Sequence, residues 1–142
     1  MAPTGYRLPQ IPSQSNKIRQ LLKGIVMQKP EIDFHEEPAP NDLVIRDLIV
    51  GEGPAAVAGG TVTVHYVGVN YETGEQFDAS WDRGEPATFP LNGLIKAWQD
   101  GIPGMKVGGR RELVCPPHTA YGDNGRLAGQ TLIFVIDLLQ VH

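Results

Sequence analysis

The sequence predicts an α+β domain with a mostly antiparallel sheet, one face of which is covered by a single short helix. Three observations lead there. Strand-like segments follow one another without strand–helix–strand alternation. One stretch of the main body, Leu94–Asp100, has helical character. Glycine (17) and proline (12) fill 29 of 142 positions, so turns are many and strands short.

The elements can be justified in order. Regular structure is expected from Leu43, where the β-branched run Leu43–Val50 ends in the turn Gly51-Glu52-Gly53-Pro54. Thr61–Tyr71 (TVTVHYVGVNY) is a longer strand closed by Glu72-Thr73-Gly74-Glu75, and short extended pieces follow at Gln76–Asp78 and Ala87–Leu91. Leu94–Asp100 (LIKAWQD) is the helix, with Gly101 placed to stop it. Arg110–Cys115 is a strand halted by Pro116-Pro117, and Thr131–Val141 is the most apolar strand. The total is about five strands and one helix.

Charge divides the chain. Residues 1–26 carry Arg7, Lys17, Arg19 and Lys23 and no acid, whereas from Met27 onward 8 basic residues face 16 acidic ones, a balance of −8 against −4 for the whole chain. Residues 1–26 read as a basic leader or tag. Pro3, Gly5, Pro9 and Pro12 keep residues 1–12 extended or disordered, and Ser15 can cap a short helix carrying Ile18, Leu21, Leu22 and Ile25 on one face. Three origins compete for it: a vector-derived leader ahead of a start at Met27, an organelle-targeting peptide, or a native helix that docks on the domain or a partner. A secretory signal is excluded because no apolar central region is present. Residues 27–42, with Pro30, Pro38 and Pro40 among five acids, form an irregular acidic approach, and 43–142 form the domain.

Several chemistries are excluded. The acidic domain lacks the basic face that phosphate neutralisation requires, so nucleic acid is not an expected partner. No apolar run approaches the ~20 residues a bilayer demands, so no membrane association is expected. The lone Cys115 rules out an intrachain disulfide and reads as a buried structural thiol. His35, His65, His118 and His142 are dispersed without zinc-site spacing. Neither a G-x-S-x-G elbow nor a phosphate-binding glycine loop appears, and pairs such as Asp78 and Asp82 are what any acidic chain produces. His65 alternates away from Tyr66 and reads as structural, and Arg110-Arg111 reads as a solvated strand face. What remains is a set of aromatics beside turns: Tyr66, Phe77, Trp81, Phe89, Trp98, Tyr121 and Phe134. Pattern alone allows them to be core or to line a pocket.

At these residues the sequence resembles the FKBP-type peptidyl-prolyl cis–trans isomerases, the macrolide-binding immunophilins, and among them the small single-domain bacterial members. The resemblance runs from about Leu43 to Val141, with the approach KPEID at 29–33 also similar. It rests on the blocks Val64-His65-Tyr66-Val67-Gly68, Gly74-Glu75-Gln76-Phe77-Asp78-Ala79-Ser80, Ile95-Lys96-Ala97-Trp98, 104–111 (GMKVGGRR), 116–122 (PPHTAYG) and Thr131-Leu132-Ile133-Phe134-Val135.

The resemblance implies an antiparallel half-barrel wrapped around one short helix. It implies isomerisation of X–Pro bonds, with an apolar residue before proline, by non-covalent stabilisation of the twisted amide. Tyr66, Phe77, Asp78, Trp98, Tyr121 and Phe134 match the family's catalytic pocket. Arg83, Phe89, Leu94 and Ile95 are expected to bind substrate, with Trp98 as floor, Tyr66, Phe77 and Phe134 as walls, and the Ile95 N–H and Tyr121 hydroxyl holding carbonyls. Two departures fall on the pocket. The flap between Tyr121 and Thr131 is short, leaving Leu127 as the one hydrophobic lip, and Ala87 stands where the family commonly has phenylalanine. Weaker macrolide and peptide binding than in a typical member is therefore expected, and a binding module with little turnover is the alternative. Proline-containing polypeptides and rapamycin-like macrolides are the implied partners of a monomeric folding aid. No cofactor or metal is expected. The location expected is cytoplasmic, or an organelle if residues 1–26 are a native transit segment.

Overall fold

The computed structural model of the chain describes residues 6–7, 28–32 and 35–142. Eight strands are described: β1 (Tyr6–Arg7), β2 (Glu31–Ile32), β3 (Val44–Ile49), β4 (Thr61–Asn70), β5 (Gln76–Ala79), β6 (Ala87–Pro90), β7 (Arg110–Cys115) and β8 (Leu132–Val141). One α-helix, α1 (Lys96–Gly101), accompanies them, with 3-10 turns at Ser80–Arg83, Leu91–Gly93 and Pro117–Thr119. The expected helix from Ser15 to Val26 lies outside the described residues, as does all of the leader except β1, which pairs antiparallel with β2.

The main sheet has six strands in the order β3-β7-β8-β4-β5, with β6 also on β4, and every pairing is antiparallel. The two short extended pieces of the sequence share a single edge. β6 pairs with Thr61–Val64 and β5 with Val67–Val69, so β4 has two partners in succession along one side. Between them the chain leaves the sheet to form the Ser80–Arg83 turn, which ends at Gly84 in the left-handed conformation (φ 76°).

The main core lies between the sheet's inner face and α1. It gathers Val62, Val64, Tyr66, Leu91, Ala97, Trp98, Ile102, Met105, Leu113, Leu132, Phe134, Ile136 and Leu138. Strand alternation places the even-numbered residues of β4 and β8 here, until Gly68 breaks the run of side chains. A second cluster of Val67, Val69, Tyr71, Ala79, Val114 and Ile133 occupies the outer face, with Ile32, Ala39 and Trp81 packed on it. The acidic approach therefore has a structural task. Residues 28–32 and 35–42 run over that outer face, with Pro30 buried, Lys29 paired to Asp82 at 2.8 Å and the Tyr71 hydroxyl donating to the Pro38 carbonyl.

Two sequence expectations need correction. Arg110-Arg111 is not a solvated face. Arg110 is 2% exposed and paired with Asp137 at 2.6 Å, with Gln28 O accepting another of its donors. Arg111, on the opposite face, bridges Asp47 to the carbonyls of Gly101 and Pro103 at the end of α1. A strand places consecutive residues on opposite faces, so adjacent arginines are separated and each finds its own acids. The helix also begins later than its apolar pattern suggested. Leu94 and Ile95 are extended, and α1 runs through Gly101 instead of stopping before it. Gly101 is needed for close packing, since a Cβ there would lie 2.7 Å from the Leu113 side chain.

Candidate active site

Trp98 is the centre of the site. It projects from α1 into the concave side of the sheet and is 4% exposed. Tyr66 (β4), Phe89 (β6) and Phe134 (β8) meet it edge-on, with ring centroids 5.2, 5.7 and 5.3 Å away. Phe77 (β5) extends the wall by meeting Phe134 edge-on at 5.5 Å. Such perpendicular pairs set ring edges against ring faces and add about 0.5–1.5 kcal/mol each beyond burial. Above this floor lies a cleft of about 200 Å³ lined by Tyr66, Phe77, Asp78, Phe89, Leu94, Ile95, Trp98, Tyr121 and Phe134.

The wall depends on a missing side chain. Gly68 follows Tyr66 on the same face of β4, and a Cβ there would sit 2.5 Å from Phe77 and 2.8 Å from Phe134. A glycine inside a β-branched run is the sequence signal that could have marked this close approach. It does not say what approaches.

The polar rim is a three-way junction. The Tyr66 hydroxyl donates to Asp78 at 2.6 Å, while Arg83 donates to the other Asp78 oxygen at 2.7 Å and to the Tyr66 hydroxyl at 2.8 Å. Burial alone would raise the Asp78 pKa. The donors Tyr66 and Arg83 outweigh it and hold the carboxyl below its ordinary value. Burial, reinforced by the hydrogen bond to Asp78, pushes the Tyr66 phenol above its own. The junction thus favours a carboxylate accepting from a neutral phenol. At the opposite end, Ile95 precedes the first turn of α1, its carbonyl accepts from Trp98 and Gln99, and its N–H has no acceptor among the described residues. Tyr121, on the loop after the Pro117–Thr119 turn, is 39% exposed.

Nine of the eleven candidate residues thus line one cleft. Arg83 stands outside it and reaches it through Asp78 and Tyr66. Leu127 is not among the lining side chains either, because the flap folds on itself through Gly129 N–H to Gly122 O and turns Leu127 against the main core. Of the seven aromatics, Trp81 is also absent from the cleft. It lies on the outer face, stacked on His65 at 4.0 Å, because the 3-10 turn carries it past the sheet edge. Cys115 is fully buried, and burial pushes its thiol far up, which leaves it no role as a nucleophile. No group of three or more His, Cys, Asp or Glu among the described residues could hold a metal ion.

This geometry defines a class: a half-open sheet wrapped over one short helix, enclosing a small aromatic cleft with a polar rim. The family model for FKBP-type peptidyl-prolyl cis-trans isomerase matches residues 53–139, and the chain belongs to that family. The chain is 63% identical to the probable FK506-binding protein of Corynebacterium glutamicum over 116 residues, covering 80% of this chain and 98% of that protein. It is 55% identical to the FK506-binding protein of Streptomyces anulatus over 122 residues, covering 81% and 98%. Among solved structures, AtFKBP13 matches with a TM-score of 0.64 at 37% identity, covering 73% of this chain and 96% of that one.

Proposed function

We propose that this protein accelerates rotation about X–Pro bonds by stabilising the twisted amide non-covalently, with Trp98 beneath the proline ring. Uncatalysed rotation faces about 18–20 kcal/mol because amide resonance is lost on twisting. No bond has to break, so neither nucleophile nor cofactor is required. The planar amide is the more polar form, and a dry aromatic cleft disfavours it relative to the twisted one. The Ile95 N–H and the Tyr121 hydroxyl hold substrate carbonyls, and the Asp78 carboxylate faces the rotating group. A differential stabilisation of about 6 kcal/mol would give roughly 10⁴-fold acceleration. The observation that carries this reading is the Trp98-centred ring cluster opening on a polar rim.

A protease-coupled assay on proline peptides tests it. The protein should speed the slow cis phase, Trp98→Leu and Asp78→Val should each lower kcat/KM by about tenfold or more, and equal rates with and without protein would sink the proposal.

A second reading, a macrolide- and peptide-binding module with little turnover, is favoured by one observation: with Leu127 turned onto the core and Ala87 on β6, the cleft has little lip. Titration with rapamycin, followed by Trp98 fluorescence, separates the two. Binding without turnover selects the module.

A further inference from the structure

β4 is interrupted on one side at His65 and Tyr66, directly behind the cleft, because β5 ends at Ala79 opposite Val67 and β6 starts at Ala87 opposite Val64. The Tyr66 N–H points into this gap and, being buried, needs an acceptor. Ser80, the first residue of the 3-10 turn, supplies it. Its Oγ accepts the Tyr66 N–H at 2.7 Å and stands 3.4 Å from the Tyr66 carbonyl. Ser80 is fully buried. One side chain here replaces the missing strand residue.

The Ser80 hydroxyl has a single proton to donate, and His65 Nδ1 lies 2.8 Å away. His65 stacks on Trp81, with ring planes 13° apart, and burial lowers its pKa. Because Nδ1 is closer to the hydroxyl (2.8 Å) than the Tyr66 carbonyl is (3.4 Å), the Ser80 proton is assigned to Nδ1 and the His65 imidazole proton to Nε2. The charged groups around it are already matched. Asp137, its neighbour on β8, pairs with Arg110 of β7, and Asp82 of the turn pairs with Lys29 of the approach segment.

We propose that Ser80 and His65 are positioning residues for proline isomerisation: they fix the Tyr66 main chain to the turn that carries Arg83, and thereby set the Tyr66–Asp78–Arg83 rim. The proposal rests on the isomerase reading above. Neither residue touches substrate. Both act from the far side of the sheet.

The full chain is assayed with Ser80→Ala, with His65→Phe, which keeps the stack on Trp81 but removes the acceptor, and with each combined with Asp78→Asn. Expected are losses in kcat/KM of about tenfold for Ser80→Ala and about threefold for His65→Phe, each smaller in the Asp78→Asn background. In the parent protein, ¹⁵N shifts should show His65 as the Nε2–H tautomer. In Ser80→Ala, the Tyr66 amide should exchange faster while Val62 and Val64 do not. If Ser80→Ala does not fold, His65→Phe decides alone. Parent turnover with variant rates within 1.5-fold, or with losses that add fully to Asp78→Asn, overturns the positioning role while leaving the isomerase reading intact. Absence of turnover in the parent overturns both.

Discussion

Two carboxylates on the outer face of the sheet are buried under opposite conditions. Asp137 has its partner: Arg110 donates through Nε at 2.6 Å and through Nη2 at 3.1 Å. Glu112 is 3% exposed, its Oε1 is 3.9 Å from Arg46, and its Oε2 has no hydrogen bond. Removing one member of a buried pair strands the other charge, so Arg110→Met should cost about 3–5 kcal/mol in urea unfolding. Replacing a buried acid held only by a long ion pair, with one oxygen left without a hydrogen bond, should act in the opposite direction. Burial raises the Glu112 pKa above 4.5, so the folded protein holds that proton more tightly than the unfolded chain. Its contribution is therefore most favourable below 4.5 and is lost as the pH rises from there through the folded value. Glu112→Met should raise stability by about 1–2 kcal/mol at pH 7–8, with the gain vanishing at pH 4. A gain that does not depend on pH would refute the assignment.

At the scale of the element, β4 does most to organise the site. Its C-terminal half is buried on both faces, its inward residues reach the cleft, and Gly68 gives up a side chain so that two rings can stand against it. Gly68→Ala would push Phe77 and Phe134 off their contacts. It should cost about 1–3 kcal/mol of stability and lower kcat/KM, whereas Gly84→Ala, with nothing within 4 Å of the added atom, leaves the cleft walls unaltered despite its strained backbone. Crystal structures and proline-peptide kinetics of the two variants would check this. Much of β4 was legible beforehand, because alternation over Thr61–Tyr71 already separated Tyr66 from His65 and the structure ends the strand within one residue of that run. The break at its edge was not. Gln76–Asp78 and Ala87–Leu91 both read as short extended pieces, but nothing local says that they share one side of one partner or that a serine closes the gap between them.

For the whole molecule, the boundary between legible and hidden follows the range of the interactions. The order of strands, the single helix and the aromatic residues of the cleft were available from hydrophobic pattern and motif blocks, since those signals are local. Long-range pairings were hidden. Arg110 binds Gln28 across 82 residues and Arg111 binds Asp47 across 64, so two arginines that look solvated in one dimension become internal in three. Leu127 belongs to the same kind of case: a leucine in a short flap suggested a lip, whereas its half-buried packing against the main core depends on how the flap folds on itself.

Cys115, beneath the cleft at the end of β7, makes the molecule its own stability gauge. It is the only thiol in the chain, is fully buried, and bonds weakly to the Leu113 carbonyl. A thiol reagent reaches it only when β7 and β8 separate, so with fast reclosing the labelling rate divided by that of a free thiol is the equilibrium constant for opening, whose logarithm gives the opening free energy. The labelling rate should rise in step with the losses measured for Arg110→Met and remain proportional to reagent concentration; a rate independent of reagent would measure the opening rate in place of the free energy.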